Sequence, residues 1–164
     1  MNRKIIIIPT YNEAKNIGIL INKLRVFNLN ILIIDDNSPD NTAAIVKNLM
    51  DENSNLHLIH RKNKLGLGSA YREGFRYCID MGYESFIQMD ADFSHRIEDL
   101  GSLLADESNY DVIIGSRYVQ GGGTKGWSAN RMLLSKFANT YARFITSCKI
   151  KDLTSGFRIY SLKA

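Results

Sequence analysis

Short apolar runs alternating with amphipathic helical stretches predict a single α/β domain on a mostly parallel central sheet. Three observations carry that prediction. Five runs of branched residues have strand length, helical periodicity fills the gaps between them, and strands recur at intervals of about 25–30 residues, as βαβ crossovers require. Ile5–Ile8 comes first and is apolar at consecutive positions, the pattern of a strand buried on both faces. Ile17, Leu20, Ile21 and Leu24 then recur at i, i+3, i+4 and i+7, one face of a helix. Ile31–Ile34 is the second strand, and Asp35-Asp36-Asn37-Ser38-Pro39-Asp40 is a turn leading to a helix that starts near Asn41. Leu56–Ile59 is the third strand, followed by a helix with Ala70, Gly74, Tyr77, Cys78 and Met81 on one side. Phe86–Met89 and Val112–Ile114 are the fourth and fifth strands. Leu134, Phe137, Ala138, Tyr141 and Ile145 mark a last long helix, and all three helical faces are expected to pack on the sheet.

Composition narrows the function classes. The chain has 164 residues, 45% hydrophobic and 23% charged, which suits one folded domain and excludes disordered or collagen-like sequence. Its apolar runs are far shorter than the roughly 20 residues of a membrane span. Asn2-Arg3-Lys4 before four isoleucines resembles the start of a signal peptide, but Pro9-Thr10-Tyr11-Asn12-Glu13 interrupts the apolar region too early, so a cytoplasmic location is expected. Cys78 and Cys148 form no Cys-x-x-Cys and read as reduced core thiols. A net charge of +4 suits an anionic substrate or a membrane surface and is too small and dispersed to imply nucleic acid.

The polar clusters all follow strands. Pro9–Glu13, Asp35–Asp40, Asp90–His95 and Ser116–Gly123 stand at the carboxyl ends of strands one, two, four and five. Ligands of open α/β sheets bind at that edge, so the four are expected to converge on one crevice. Asp90-Ala91-Asp92 reads either as a pair of ligands for a hard divalent cation or as a helix cap with a turn aspartate. One of Asp35 and Asp36 exceeds the needs of a turn and can accept hydrogen bonds from a base or ribose. Gly66-Leu67-Gly68 fails the dinucleotide fingerprint because Tyr71 occupies the third glycine's place. Lys64 and Arg61 read as phosphate contacts or as a solvated loop, and Gly121-Gly122-Gly123 as a lid or a long loop. Arg131 and Ser135 share a helical face at i, i+4; solvated surface is the default, and a phosphate site with Arg117 follows if that helix begins at the crevice. His57 and His60 read as structural, while His95 beside Asp92 is open between the two readings.

Six fragments stand in one order along nearly the whole chain: Pro9-Thr10-Tyr11-Asn12-Glu13, Asp35 to Asp40, Gly66-Leu67-Gly68-Ser69-Ala70-Tyr71, Met89-Asp90-Ala91-Asp92-Phe93-Ser94-His95, Gly115-Ser116-Arg117-Tyr118-Val119 and Thr154-Ser155-Gly156-Phe157-Arg158. Together they resemble the polyprenol-phosphate (dolichol-phosphate) mannosyltransferases, inverting glycosyltransferases of family 2. That resemblance implies a Rossmann-like GT-A domain for the α/β fold, with donor nucleotide-sugar binding in about residues 1–95 and acceptor binding in about 96–164. It implies that Pro9, Tyr11, Glu13 and Asp36 cradle the nucleoside, while Asp90 and Asp92 hold Mg²⁺ or Mn²⁺ on the diphosphate. It further implies that Arg117, Arg131 and Ser135 hold the acceptor lipid's phosphate, with Asp92, Arg117 and Arg131 nearest the chemistry. The activity implied is metal-dependent, inverting transfer of mannose from GDP-mannose to a polyprenyl phosphate, at or near the cytoplasmic face of a membrane. Its rivals are a UDP-sugar transferase to the same acceptor, a phosphohydrolase, and a catalytically weak nucleotide-sugar binding remnant. Arg96 and Asn41 depart from the proline and glycine that the family often has there. Relative to the family the chain is expected to be C-terminally short, and so to bind donor but transfer weakly to lipid. Its membrane-facing candidates are then Trp127, the loop 121–126 and the last helix, with that helix's apolar residues mostly claimed by the sheet.

Overall fold

The computed structural model describes residues 3–124 and 128–164, so Trp127 lies outside the described residues. The elements are β1 (Lys4–Thr10), α1 (Ile17–Leu24), β2 (Asn30–Asp35), α2 (Thr42–Met50), β3 (Leu56–His60), α3 (Leu67–Asp80), β4 (Ser85–Gln88), α4 (Asp99–Ala105), β5 (Val112–Ile114), α5 (Ala129–Thr146) and β6 (Arg158–Ser161). They form one six-stranded sheet in the order β3-β2-β1-β4-β6-β5. The first four strands in that order are parallel, and β6 runs antiparallel to both β4 and β5.

Consecutive side chains of a strand point to opposite faces, and β1 buries both sets. Ile6 and Ile8 meet Leu20, Ile21 and Leu24 of α1 and Val46 of α2 on one face; Ile5 and Ile7 meet Ala70, Tyr71 and Cys78 of α3 on the other. The four residues predicted for α1 are its buried residues. In α3 the buried set is Ala70, Tyr71, Gly74 and Cys78, so Tyr71 faces the core while Met81 is exposed. Gly74 permits the close approach of α3, because a Cβ there would stand 2.7 Å from Ile7 and 2.8 Å from Ile34. Asn41 precedes α2 in a left-handed conformation with φ 68°, a backbone state that asparagine tolerates better than most residues with a Cβ.

Two elements escape the sequence pattern. α4 and β6 are short, and β6 holds one fully buried residue, Ile159, which pairs with both Ile87 and Ile113. The larger departure is α5. Leu134, Phe137, Tyr141 and Ile145 were expected on the sheet, yet they face outward together with Leu133 and Phe144, each 60–82% exposed. The inward face carries Ser135, Ala138, Asn139 and Ala142, and Asn139 is the buried residue of the helix. Hydrogen bonds decide the orientation: Asn139 Nδ2 donates to Thr154 Oγ1 at 3.0 Å, and the amide of Leu153 donates to Asn139 Oδ1 at 2.7 Å. With that side inward Asn139 is buried with both amide atoms satisfied.

Packing at Gly74 can be checked directly. Gly74→Ala is expected to lower unfolding free energy in urea by about 1–3 kcal/mol through overpacking. Gly68→Ala, on the same helix with open space around it, is expected to raise it by up to about 1 kcal/mol.

Candidate active site

Strands aligned in parallel end together, and three of the four expected clusters meet at that edge. A cleft of about 340 Å³ is lined by Pro9 at the end of β1 and Tyr11 and Glu13 after it, by Asp36 after β2, by Lys64 and Gly66 before α3, and by Asp90 and Asp92 after β4. The four residues expected to cradle the nucleoside and the two expected to hold the metal thus share one cavity. Its walls are laced together. The amide of Asn12 donates to Ser38 Oγ at 3.0 Å, that of Glu13 to Thr42 Oγ1 at 3.0 Å, and that of Ala14 to Asp40 Oδ2 at 2.9 Å.

The neighbouring acids Asp35 and Asp36 are both committed to the scaffold. Asp35 is fully buried and accepts from Thr10 Oγ1 and from the amide and hydroxyl of Ser38, which fixes the turn out of β2. Asp36 accepts from Arg61 Nη1 at 2.8 Å and from the amides of Leu65 at 3.0 Å and Gly66 at 2.7 Å. Burial alone would raise its pKa, but those amides and the guanidinium hold it below the usual carboxylate range. Arg61 also binds Glu73 and Ser69 on α3, so the buried Asp36–Arg61 pair latches the loop 61–66 and the start of α3 to β2. That latch presents Lys64, whose Nζ stands 3.5 Å from the centroid of the Tyr11 ring.

Asp90 and Asp92 differ in their constraints. Asp90 accepts from the Tyr71 hydroxyl at Oδ1, 3.1 Å, and its Oδ2 lies 3.1 Å from His95 Nε2. His95 is in turn stacked on Phe157. Among the described residues Asp92 is tied only to its own turn, through Ser94. Burial opposes its ionisation, yet the hydrogen bonds from Ser94 hold its carboxyl below the ordinary value, so it is anionic at neutral pH. Phe93, the residue after Asp92, has φ 58°, a strained conformation for an aromatic residue. Two hard carboxylate donors on an open cleft fit a divalent ion such as Mg²⁺ or Mn²⁺ that takes its remaining ligands from a diphosphate and water. A cage made by protein alone is not there: among the described residues no group of three His, Cys, Asp or Glu side chains is placed to hold a metal.

The fourth cluster does not line this cleft. Arg117 turns its fork to Asp152, with Nε 2.8 Å from Oδ2 and Nη2 2.6 Å from Oδ1, and its own amide donates to Oδ2 at 3.0 Å. Asp152 is fully buried and was not singled out by sequence; an aspartate two residues before Thr154 carries no periodic or motif signal. Tyr118 donates to Ser135 Oγ at 2.8 Å, which joins the chain after β5 to α5, and Arg131 stands one turn earlier on that helix. Arg117 and, through Asn139, Ser135 are thus joined to one network with Asp152 and Thr154, while Arg131 is placed by the helix, one turn before Ser135. Tyr71 was also missed, because sequence showed it only as a failed glycine.

A cleft with two carboxylates at the carboxyl edge of a mostly parallel sheet is where an open α/β domain takes its ligand, and the fold as a whole matches that of the GT-A glycosyltransferases. The chain belongs to glycosyl transferase family 2, whose family model matches residues 5–164. It is 43% identical over 162 residues to the polyprenol monophosphomannose synthase of Mycolicibacterium smegmatis, covering 96% of this chain and 61% of that protein. With the undecaprenyl-phosphate mannosyltransferase of Micrococcus luteus it shares 38% identity over 160 residues, 96% of this chain and 66% of the other. The chain thus spans less than two thirds of the length of either relative. A Pyrobaculum calidifontis mannosyltransferase, solved with GDP-Man and Mn²⁺, has the same fold at a TM-score of 0.67 and 16% identity, over 98% of this chain and 45% of that one.

The buried carboxylates give a pH prediction. Arg117 and its amide hold the Asp152 carboxyl below its ordinary value against burial, which would raise it, and Asp36 is depressed likewise. A folded pKa below the unfolded one, near 3.8, means stabilisation that is complete above the unfolded value and lost as pH falls through the folded value. Melting temperature is expected to fall steeply below about pH 4. Asp152→Asn should destabilise by about 3 kcal/mol at neutral pH and flatten that acid limb, as followed by circular dichroism.

Proposed function

We propose that this domain transfers mannose from GDP-mannose to a polyprenyl phosphate with inversion at the anomeric carbon. The observation that carries this is the single cleft uniting Pro9, Tyr11, Glu13, Asp36, Asp90 and Asp92, in a chain akin to two proteins named for mannosyl transfer to polyprenyl phosphates. In this reading residues 1–95 bind the donor and residues 96–164 the acceptor. The Tyr11 ring and Lys64 take the base and the phosphates, Glu13 and Pro9 shape the nucleoside wall, and Asp36 acts by holding the loop that carries Lys64. Asp92 and Asp90 hold the divalent ion. When bound, that ion supplies Lewis-acid stabilisation of the charge growing on the departing diphosphate. No protein base is needed, since a phosphate monoester with a second pKa of about 6 is mostly dianionic at pH 7. Arg117, Arg131 and Ser135 orient that phosphate, with Asp152 fixing the guanidinium of Arg117 in advance.

The outward face of α5 supports peripheral attachment to an anionic lipid surface. Leu133, Leu134, Phe137, Tyr141, Phe144 and Ile145 are exposed on it. From residue 112 to 151 the sequence has seven Lys and Arg and no Asp or Glu. An apolar helix face in a basic segment is complementary to anionic headgroups over an apolar interior. No helix among the described residues is long and apolar enough to cross a membrane.

Three measurements test these readings. In a transfer assay with Mn²⁺, radiolabelled nucleotide sugars and a short polyprenyl phosphate, GDP-mannose is expected to be the donor, and Asp92→Ala to lose at least about 100-fold in kcat/KM. GDP at 100 times its Kd should stabilise the domain by about 2.7 kcal/mol; stabilisation by UDP alone would replace mannose with a UDP-linked sugar. In sedimentation with phosphatidylglycerol vesicles, Phe137→Glu with Phe144→Glu should weaken binding about tenfold or more, leaving GDP affinity unchanged.

A further inference from the structure

We infer that Tyr71 is a positioning residue for the divalent-ion site, its hydroxyl fixing the Asp90 carboxylate in the orientation that faces the cleft. The inference rests on the ion-binding reading of Asp90 and Asp92 given above. An aspartate's terminal torsion is broad and roughly two-fold, so a half-exposed carboxylate at a strand end does not hold one orientation unaided. Asp90 is held from three sides. Tyr71 on α3 reaches Oδ1, His95 lies against Oδ2, and Gly156 leaves room for Oδ2 that a Cβ would invade at 2.9 Å.

The hydroxyl of Tyr71 has no packing role. Its ring is stacked on Phe75 within the α3 side of the core, where phenylalanine would pack as well. The oxygen lies 3.1 Å from Asp90 Oδ1 and 3.3 Å from the carbonyl of Met89. One O–H proton serves one strong acceptor at a time, and the charged carboxylate is the better of the two. Tyr71 is itself fixed from below. Arg61 binds Ser69, and Asp36 binds the amides of Leu65 and Gly66, so the first turns of α3 are clamped to β2. The clamp of α3 to β2 thus reaches the Asp90 carboxylate through the Tyr71 hydroxyl.

The test uses Tyr71→Phe and Gly156→Ala in the full chain, with Mn²⁺ as the probe. Mn²⁺ affinity is read from the free-ion electron paramagnetic resonance signal with GDP present, and GDP affinity in EDTA from calorimetry. Loss of an outer hydrogen bond to a metal ligand is expected to weaken Mn²⁺ binding about tenfold or more in Tyr71→Phe. GDP affinity in EDTA should stay within about twofold. Gly156→Ala, which crowds Oδ2 while leaving the hydroxyl in place, should weaken Mn²⁺ binding as well. Wild-type Mn²⁺ affinity in Tyr71→Phe overturns the role, as does an equal loss of GDP affinity in EDTA, which would mark a general collapse of the cleft. Absence of Mn²⁺ binding by the wild-type chain with GDP present would instead sink the ion reading itself, and Tyr71's role with it.

Discussion

The burial of β1 on both faces is the constraint from which the rest of the domain follows. Four consecutive isoleucines are fully buried in that strand, and no single layer can cover both sets of side chains. Helices must lie on each side, α1 and α2 on one and α3 on the other. Covering both faces by crossovers forces the neighbouring strands to run parallel, so their carboxyl ends meet at one edge. The cleft is the consequence of that edge. Gly74 is where the constraint is tightest, with α3 pressed close enough to the sheet that a methyl group has no room.

Around the cleft one residue type serves four purposes, and hydrogen bonding separates them. Asp35 stabilises a turn, Asp36 latches a loop, Asp90 is gripped from neighbouring elements, and Asp92 is tied only to its own turn among the described residues. A carboxylate with its lone pairs occupied by amides and a guanidinium is a structural anion. One held at the rim by a turn is available to a ligand. The acidic pairs look alike along the chain, while the partners of Asp36 stand 25 to 30 positions away and Tyr71 stands 19 from Asp90.

The half beyond β4 follows a different rule. Instead of a hydrophobic face, α5 gives the sheet side a row of small and polar groups, knitted through Asn139, Thr154 and Asp152 to Arg117. Its aromatic and aliphatic side chains are left outward.

The sequence by itself determined the parallel half of the sheet, the faces of α1 and most of α3, and the cleft residues from Pro9 to Asp92. These are local signals: periodicity of two or 3.6 residues, and polar clusters placed directly after strands. Only the tertiary structure decided the short antiparallel β6, the outward face of α5, the pairing of Arg117 with Asp152, and the grip of Tyr71 on Asp90. Periodicity reports that a helix has an apolar side, but which side faces the sheet depends on the hydrogen-bonding groups waiting there. Arg117 and Asp152 are 35 residues apart and Tyr71 and Asp90 are 19 apart. Nothing in the spacing of such pairs brings them together, because their contact is made by how the segments that carry them pack and not by any local pattern.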